Sequence, residues 1–458
     1  MHACLTREPE ESRMLKSVRA LFAFSAVASL LLTVSAAQAR TFYLAPGGDD
    51  DAEAVHGAVF KTLRRAVNHL WGGDTLIIRN GFYQGGVHVR RGCTAEAPLV
   101  IKGESRYAII IGSGSDRDGL TLNDCSHVIL DGLNVTRAAR GGIVISHSKF
   151  FTVRNCVAYN NGKWGIFTDH ASDWIMENNE CFGSQVEHGI YHSNSGDNFV
   201  FRNNYLHHNS GCGLHMNGDP EYGGDGVESF GIIEGNLCHA NGATLGGAGI
   251  NMTHVQDVIV RNNVLWNNLA GGITFYQDAG SFEQGSKRAL IMHNTVVYEK
   301  NRGRTGVNIM PTSEKVLIAN NIFVSGGGRG AIEVNSEHLS SIISDNNVIW
   351  GVDRSEIIER TGERRIGFDA WRRLSGNDAH TLISEPIFAN PAYGDLRLLK
   401  GSPAIGAAMS LDEIKSKLRK IGGFDWVLNK LAELPDVDKD GKKRPAGKGR
   451  DAGAYEYY

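Results

Sequence analysis

A glycine followed by an apolar-x-apolar strand recurs at Gly119 (GLTL), Gly142 (GIVI), Gly165 (GIFT), Gly189 (GIYH), Gly213 (GLHM), Gly249 (GINM), Gly272 (GITF) and Gly306 (GVNI). The intervals are 23, 23, 24, 24, 36, 23 and 34 residues, so the two long ones read as the same unit carrying an inserted loop. A second strand in each unit ends at a polar turn with an Asn in a constant place: Asn155, Asn179, Asn204, Asn236, Asn263, Asn294, Asn321 and Asn347. A unit this short, with no helical period, cannot bury its apolar face alone, but stacked copies can. The spacing therefore predicts an all-β parallel solenoid with coils about 4.8 Å apart. The first and third positions after each Gly point inward, and the Asn residues stack as a hydrogen-bonded column. Clear coils span residues 119–350, and the charged, partly helical remainder, 351–458, is expected to close the C-terminal end of a single domain over 40–458.

Several chemically tempting groups read as structural. Asp131, Arg154, Glu177, Arg202, Glu234 and Arg261 precede the Asn turn in successive coils, a ladder of alternating charge. Asp436-Val437-Asp438-Lys439-Asp440-Gly441 resembles the start of a calcium loop, but its twelfth position is Gly447 rather than Glu, which predicts a solvated turn. Cys93, Cys125, Cys156, Cys181, Cys212 and Cys238 lie 25 to 32 residues apart with no metal-type spacing, so most are expected as core thiols.

The N-terminus carries an address rather than fold information. Arg13, Lys16 and Arg19 precede the apolar run Ala20 to Ala36, and Ala37-Gln38-Ala39 is a small-x-small cleavage pattern. Residues 1–39 therefore read as a secretory signal, leaving an exported, periplasmic or extracellular protein with no membrane span after cleavage. A net charge of −3 over 458 residues, with no basic stripe, excludes a nucleic-acid wrapper. The expected partner is a polysaccharide, bound by a monomer.

After the signal come Thr41-Phe42-Tyr43-Leu44-Ala45-Pro46-Gly47-Gly48 and an amphipathic segment, Phe60 to Leu70, with Leu63, Ala66, Val67 and Leu70 on one face. The chain ends Asp451-Ala452-Gly453-Ala454-Tyr455-Glu456-Tyr457. With these features the sequence resembles the secreted right-handed parallel β-helix proteins of the pectate-lyase-like superfamily. That resemblance implies the fold over nearly all of the mature chain, and an N-terminal helix that caps it. For activity it implies a range: polysaccharide lyases, alginate epimerases, glycoside hydrolases and proteins without known activity.

The Gly register sends the second and fourth strand positions outward, where polar and aromatic groups gather in the coils from Gly165 to Gly272. Candidate catalytic residues there are Asp169, His170, His188, Tyr191 and His215, with Asn194, Asn217, Asn251, His254, Tyr276 and Asp278 as substrate binders. His192 faces inward and reads as a core histidine. The two insertions add Asp219 and Asp225, candidates for a cation such as Ca2+. The stretch Glu187 to Asn198, followed by Gly211 to Gly226, looks like part of the group containing alginate-type epimerases and lyases. Those enzymes use a His base near a Tyr. Their Asp-Pro-His motif is absent; the nearest text is Thr168-Asp169-His170, so His188 and His215 compete with His170 for that role. β-Elimination needs a base, an acid for the leaving oxygen and a group that offsets carboxylate charge, which His, Tyr and Asn or a cation supply. Hydrolysis needs two carboxyls roughly 5 to 9.5 Å apart, for which Asp169, Asp219, Asp225 and Asp278 are candidates. A non-catalytic glycan-binding or accessory protein, such as the periplasmic β-helix that assists copper-enzyme maturation, is the third reading.

Overall fold

The computed structural model describes residues 39–458 apart from 113–116, 245, 311, 328, 335, 352–355, 360–363 and 448; the secretory-signal reading falls on residues outside this set, Ala39 excepted. Residues 40–458 form one unit. Each coil visits three sheets in turn, as in Trp164–Asp169 (sheet 3), Ser172–Glu177 (sheet 1) and Glu180–Phe182 (sheet 2). Sheets 1, 2 and 3 hold 13, 12 and 12 strands. Pairing within them is parallel, except where Glu356–Glu359 meets Arg364–Gly367 in sheet 3. The chain is thus the parallel β-solenoid that the repeat demands.

The inward register holds. Ile166, Ile190, Leu214, Ile250 and Ile273 share one buried column. Thr168, His192, Met216, Met252 and Phe275 share the next. All six described cysteines are buried and free.

One Asn of the expected column, Asn155, falls a residue short of it. The amide ladder runs Asn179, Asn204, Asn236, Asn263, Asn294, Asn321 and Asn347, each Nδ2 donating to the next Oδ1 at 2.9 to 3.0 Å. In the coil before, Cys156 holds the ladder position, its N–H donating to Asn179 Oδ1 at 3.0 Å. Asn155 instead occupies the neighbouring left-handed position (φ 54°), in line with Asn178, Asn203 and Asn262. Asn tolerates that conformation because its side chain bonds locally. A second buried column, Asn209, Asn241 and Asn268, fills the turn between sheets 2 and 3.

The charge ladder forms ion pairs at Arg154–Asp131 (2.9 Å), Arg202–Glu177 (3.6 Å), Arg202–Glu234 (2.6 Å) and Arg261–Glu234 (2.6 Å). The Asp438 turn is anchored, not solvated: Asp438 is buried and accepts the N–H groups of Asp440, Lys442 and Glu456.

The N-terminal helix is shorter than the amphipathic stretch, Leu63–Asn68, and Thr62 caps it by accepting from Arg65 N. Its buried face joins the solenoid core beside the first strands. At the other end the closure differs from expectation. The helix Phe368–Ser375 does add Phe368 and Trp371 to the main core. The helices Leu411–Ile421 and Asp425–Glu433 instead lie back along the outer surface of sheet 1, packing Ile414, Leu418, Val427 and Leu431 on Ile259, Leu290 and Leu317. Those outward positions are apolar, so water is excluded only if something covers them.

Candidate active site

The outward side of sheet 3 carries a groove of ≈ 390 Å³ at the N-terminal ends of its strands. His188, on the turn entering Ile190–Ser193, and His215, on Leu214–Asn217, lie in it with rings stacked at 4.3 Å. Tyr191 packs against both, at 5.2 and 4.7 Å between centroids. Asn251 Nδ2 reaches His215 Nδ1 (2.8 Å) and Tyr276 Oη (3.2 Å), tying two further coils to the pair. Five sequence candidates, His188, Tyr191, His215, Asn251 and Tyr276, therefore converge.

Burial keeps these groups uncharged. It lowers the His188 pKa to about 3 and that of His215 well below the usual 6.5, the latter helped by His188. It pushes Tyr191 up to about 12 and raises Tyr276. Backbone Cys212 N–H donates to His188 Nδ1 at 2.9 Å, so the His188 proton sits on Nε2, available as a donor. His215 Nδ1 accepts from Asn251 in the same way. A half-turn of the Asn251 amide reverses this contact: Oδ1 then accepts from His215 Nδ1–H and from the Tyr276 hydroxyl, leaving the His215 Nε2 lone pair free. In that arrangement His215 can take a proton.

The remaining candidates form two other clusters near the far ends of the strands. Asp169 accepts from Asn194 Nδ2, Ser146 Oγ and His170 Nδ1, each at 2.7 Å, and these bonds hold its pKa below the ordinary carboxylate value despite burial. His170 also stacks on His147 at 5.0 Å. In the other cluster buried His254 places Nδ1 3.3 Å from Asn217 Oδ1 and 3.6 Å from Asp278. Burial, with Asp278 and Glu221 nearby, raises the Asp219 pKa. Asp225 caps its own turn, accepting from Val227 N at 3.0 Å. Among the described residues no three His, Cys, Asp or Glu side chains are grouped to hold a metal.

Three groove residues escaped the sequence reading. Arg304, exposed, and Arg329, paired with Glu333 at 3.1 Å, supply positive charge. The signal was positional: both arginines lie in turns that lead into sheet 3 strands, as His188 does.

Beneath this face His192 is buried as expected, with Thr168 Oγ1 at 2.8 Å from its Nδ1. Its Nε2 lies 3.9 Å from Glu228, a fully buried carboxyl whose oxygens make no hydrogen bond of normal geometry among the described residues. Burial raises the Glu228 pKa well above 4.5. From there up to its folded pKa, the folded chain holds a proton that the unfolded chain has lost, so stability falls as pH rises, by roughly 1 to 1.5 kcal/mol per pH unit. Glu228→Gln is expected to abolish that slope, so its stability advantage in urea unfolding should be greater at pH 8 than at pH 5. An equal advantage at both would mean that Glu228 is already ionised.

A family profile described as "Right handed beta helix region" matches residues 109–221 and 187–349. No curated protein matches the chain. Among solved structures, pectate lyase Pel9A aligns over 92% of this chain and 96% of its own, at 15% identity and a TM-score of 0.56. An alginate lyase from Paenibacillus sp. str. FPU-7 aligns over 56% and 90%, at 17% identity and a TM-score of 0.43. A rhamnogalacturonan lyase aligns over 77% and 90%, at 13% identity and a TM-score of 0.47. At 15% identity the Pel9A alignment speaks to the fold alone, and the profile match covers more than half of the chain: the protein belongs to the right-handed β-helix family.

Proposed function

We propose that this is an exported, monomeric, carbohydrate-active β-helix protein that cleaves a uronate-containing polysaccharide by β-elimination in the sheet 3 groove. The observation that carries the reading is the stacked, uncharged His188–His215 pair sharing one groove with Tyr276 and Arg304. Arg304 and the His188 Nε2–H bind the uronate carboxylate and offset the charge that develops beside it. His215 removes the proton next to that carboxylate, and Tyr276, protonated at any working pH, passes a proton to the leaving oxygen. The Arg13 to Ala39 pattern supports export, which fractionation of the expressing cell tests.

The direct test is residues 40–458 incubated with acidic and neutral polysaccharides, following unsaturated-uronate absorbance together with reducing ends. Absorbance that rises on an acidic polymer supports elimination. New reducing ends without absorbance would sink it and favour hydrolysis, for which the raised Asp219 carboxyl near Asp278 is the candidate acid. Binding without turnover would leave a glycan-binding protein. Arg304→Ala is expected to lower kcat about tenfold or more and to raise KM as well, since it removes a contact that binds the carboxylate and strengthens as charge develops beside it.

A further inference from the structure

Sheet 2 carries a second cavity, of ≈ 310 Å³ and mostly apolar lining, on its outer side. Outward rings on this sheet stack from coil to coil: Tyr159 on Phe182 (5.3 Å), Phe182 on His207 (4.8 Å) and His239 on Trp266 (4.1 Å). Strand register continues the column from Trp266 through Val297 and Val324 to Trp350. Two small side chains thus replace rings between two indoles, which stand three coils, about 14 Å, apart. The segment bearing Pro386 and Phe388 walls the gap. Its charged lining residues are Glu299, paired with Arg302 at 3.4 Å, and Glu385.

We propose that this cavity is a binding site for an uncharged glycan, separate from the sheet 3 groove. The partly exposed indoles and Val324, above buried Val297, offer apolar surface to the C–H faces of sugar rings, over a length that suits about three units. The glutamates accept hydroxyl hydrogens, and Glu385 repels uronates, the reverse of Arg304 in the groove. A second contact on the same rigid body raises the effective concentration of a mixed polymer at the groove. The site stands whether or not the groove performs elimination.

An array of immobilised neutral oligosaccharides of three to six units, with uronate oligomers beside them, tests it. Wild type should hold neutral glycans, Trp266→Ala and Trp350→Ala should each weaken that binding about tenfold or more, and His215→Gln should leave it unchanged. Glu385→Lys, an exposed change that leaves both indoles in place, should add uronate binding at this site. Absence of neutral-glycan binding by wild type, or its persistence in folded Trp266→Ala and Trp350→Ala together, would overturn the proposal, as would a Glu385→Lys protein with an unaltered array profile.

Discussion

His215→Gln is expected to lower kcat/KM on an acidic polymer by a factor of roughly 10² to 10⁴, the range for loss of a positioned base. Gln keeps a hydrogen-bonding group near Asn251 and cannot take a proton. His188→Gln, in contrast, should lose less, because His188 Nδ1 is already engaged by the Cys212 N–H and the ring serves as a donor. The pH profile separates base chemistry from simple packing. A histidine in water loses its basic form below pH 6.5, whereas burial holds His215 neutral well below that. The acid limb of kcat/KM should therefore lie far below pH 6.5. An acid limb near 6.5, or a His215→Gln enzyme within a few-fold of wild type, would move the base elsewhere, with the Asp169–His170 pair next in line.

The parts of this molecule legible in the sequence are those set by period. The first three positions after each sheet 3 Gly run inward, outward, inward, so His192 could be placed in the core and His215 on the outer face from spacing alone, whereas left-handed residues such as Phe150 break the alternation in sheet 1. Position across coils was legible too, because every coil repeats the same three sheets. Contacts along the strand were less so. Asp169 and His215 both face outward, yet strand length puts them in different clusters, and counting coils does not reveal that. Arg304 and Arg329 were missed because turns have no period; their place becomes visible only when the turns from sheet 2 into sheet 3 are folded beside the groove. The C-terminal helices showed which of their faces was apolar but not its partner. The clue lay in outward Leu290 and Leu317, which water would not tolerate uncovered.

The largest stability effect is expected at Asn263→Ala. Asn263 Oδ1 accepts both the backbone N–H of Asn236 (2.9 Å) and its Nδ2 (2.9 Å), while Asn263 Nδ2 donates to Ile233 O (2.9 Å) and Asn294 Oδ1 (2.9 Å). Truncation leaves partners on both neighbouring coils without their bonds, at a site with no solvent exposure. Each group so stranded costs about 1 to 3 kcal/mol, and a cavity too narrow to hydrate them all adds to that, so a loss on the order of 4 kcal/mol is expected. Asn155→Gly provides the control. Asn155 lies in the adjacent left-handed position, and its Nδ2 meets only the exposed side of Asp131 at 2.8 Å. Glycine keeps that backbone conformation, so the change should stay within about 1 kcal/mol. Urea unfolding of the two variants decides the assignment: comparable losses would mean that Asn155, and not Cys156, carries the ladder into its first coil.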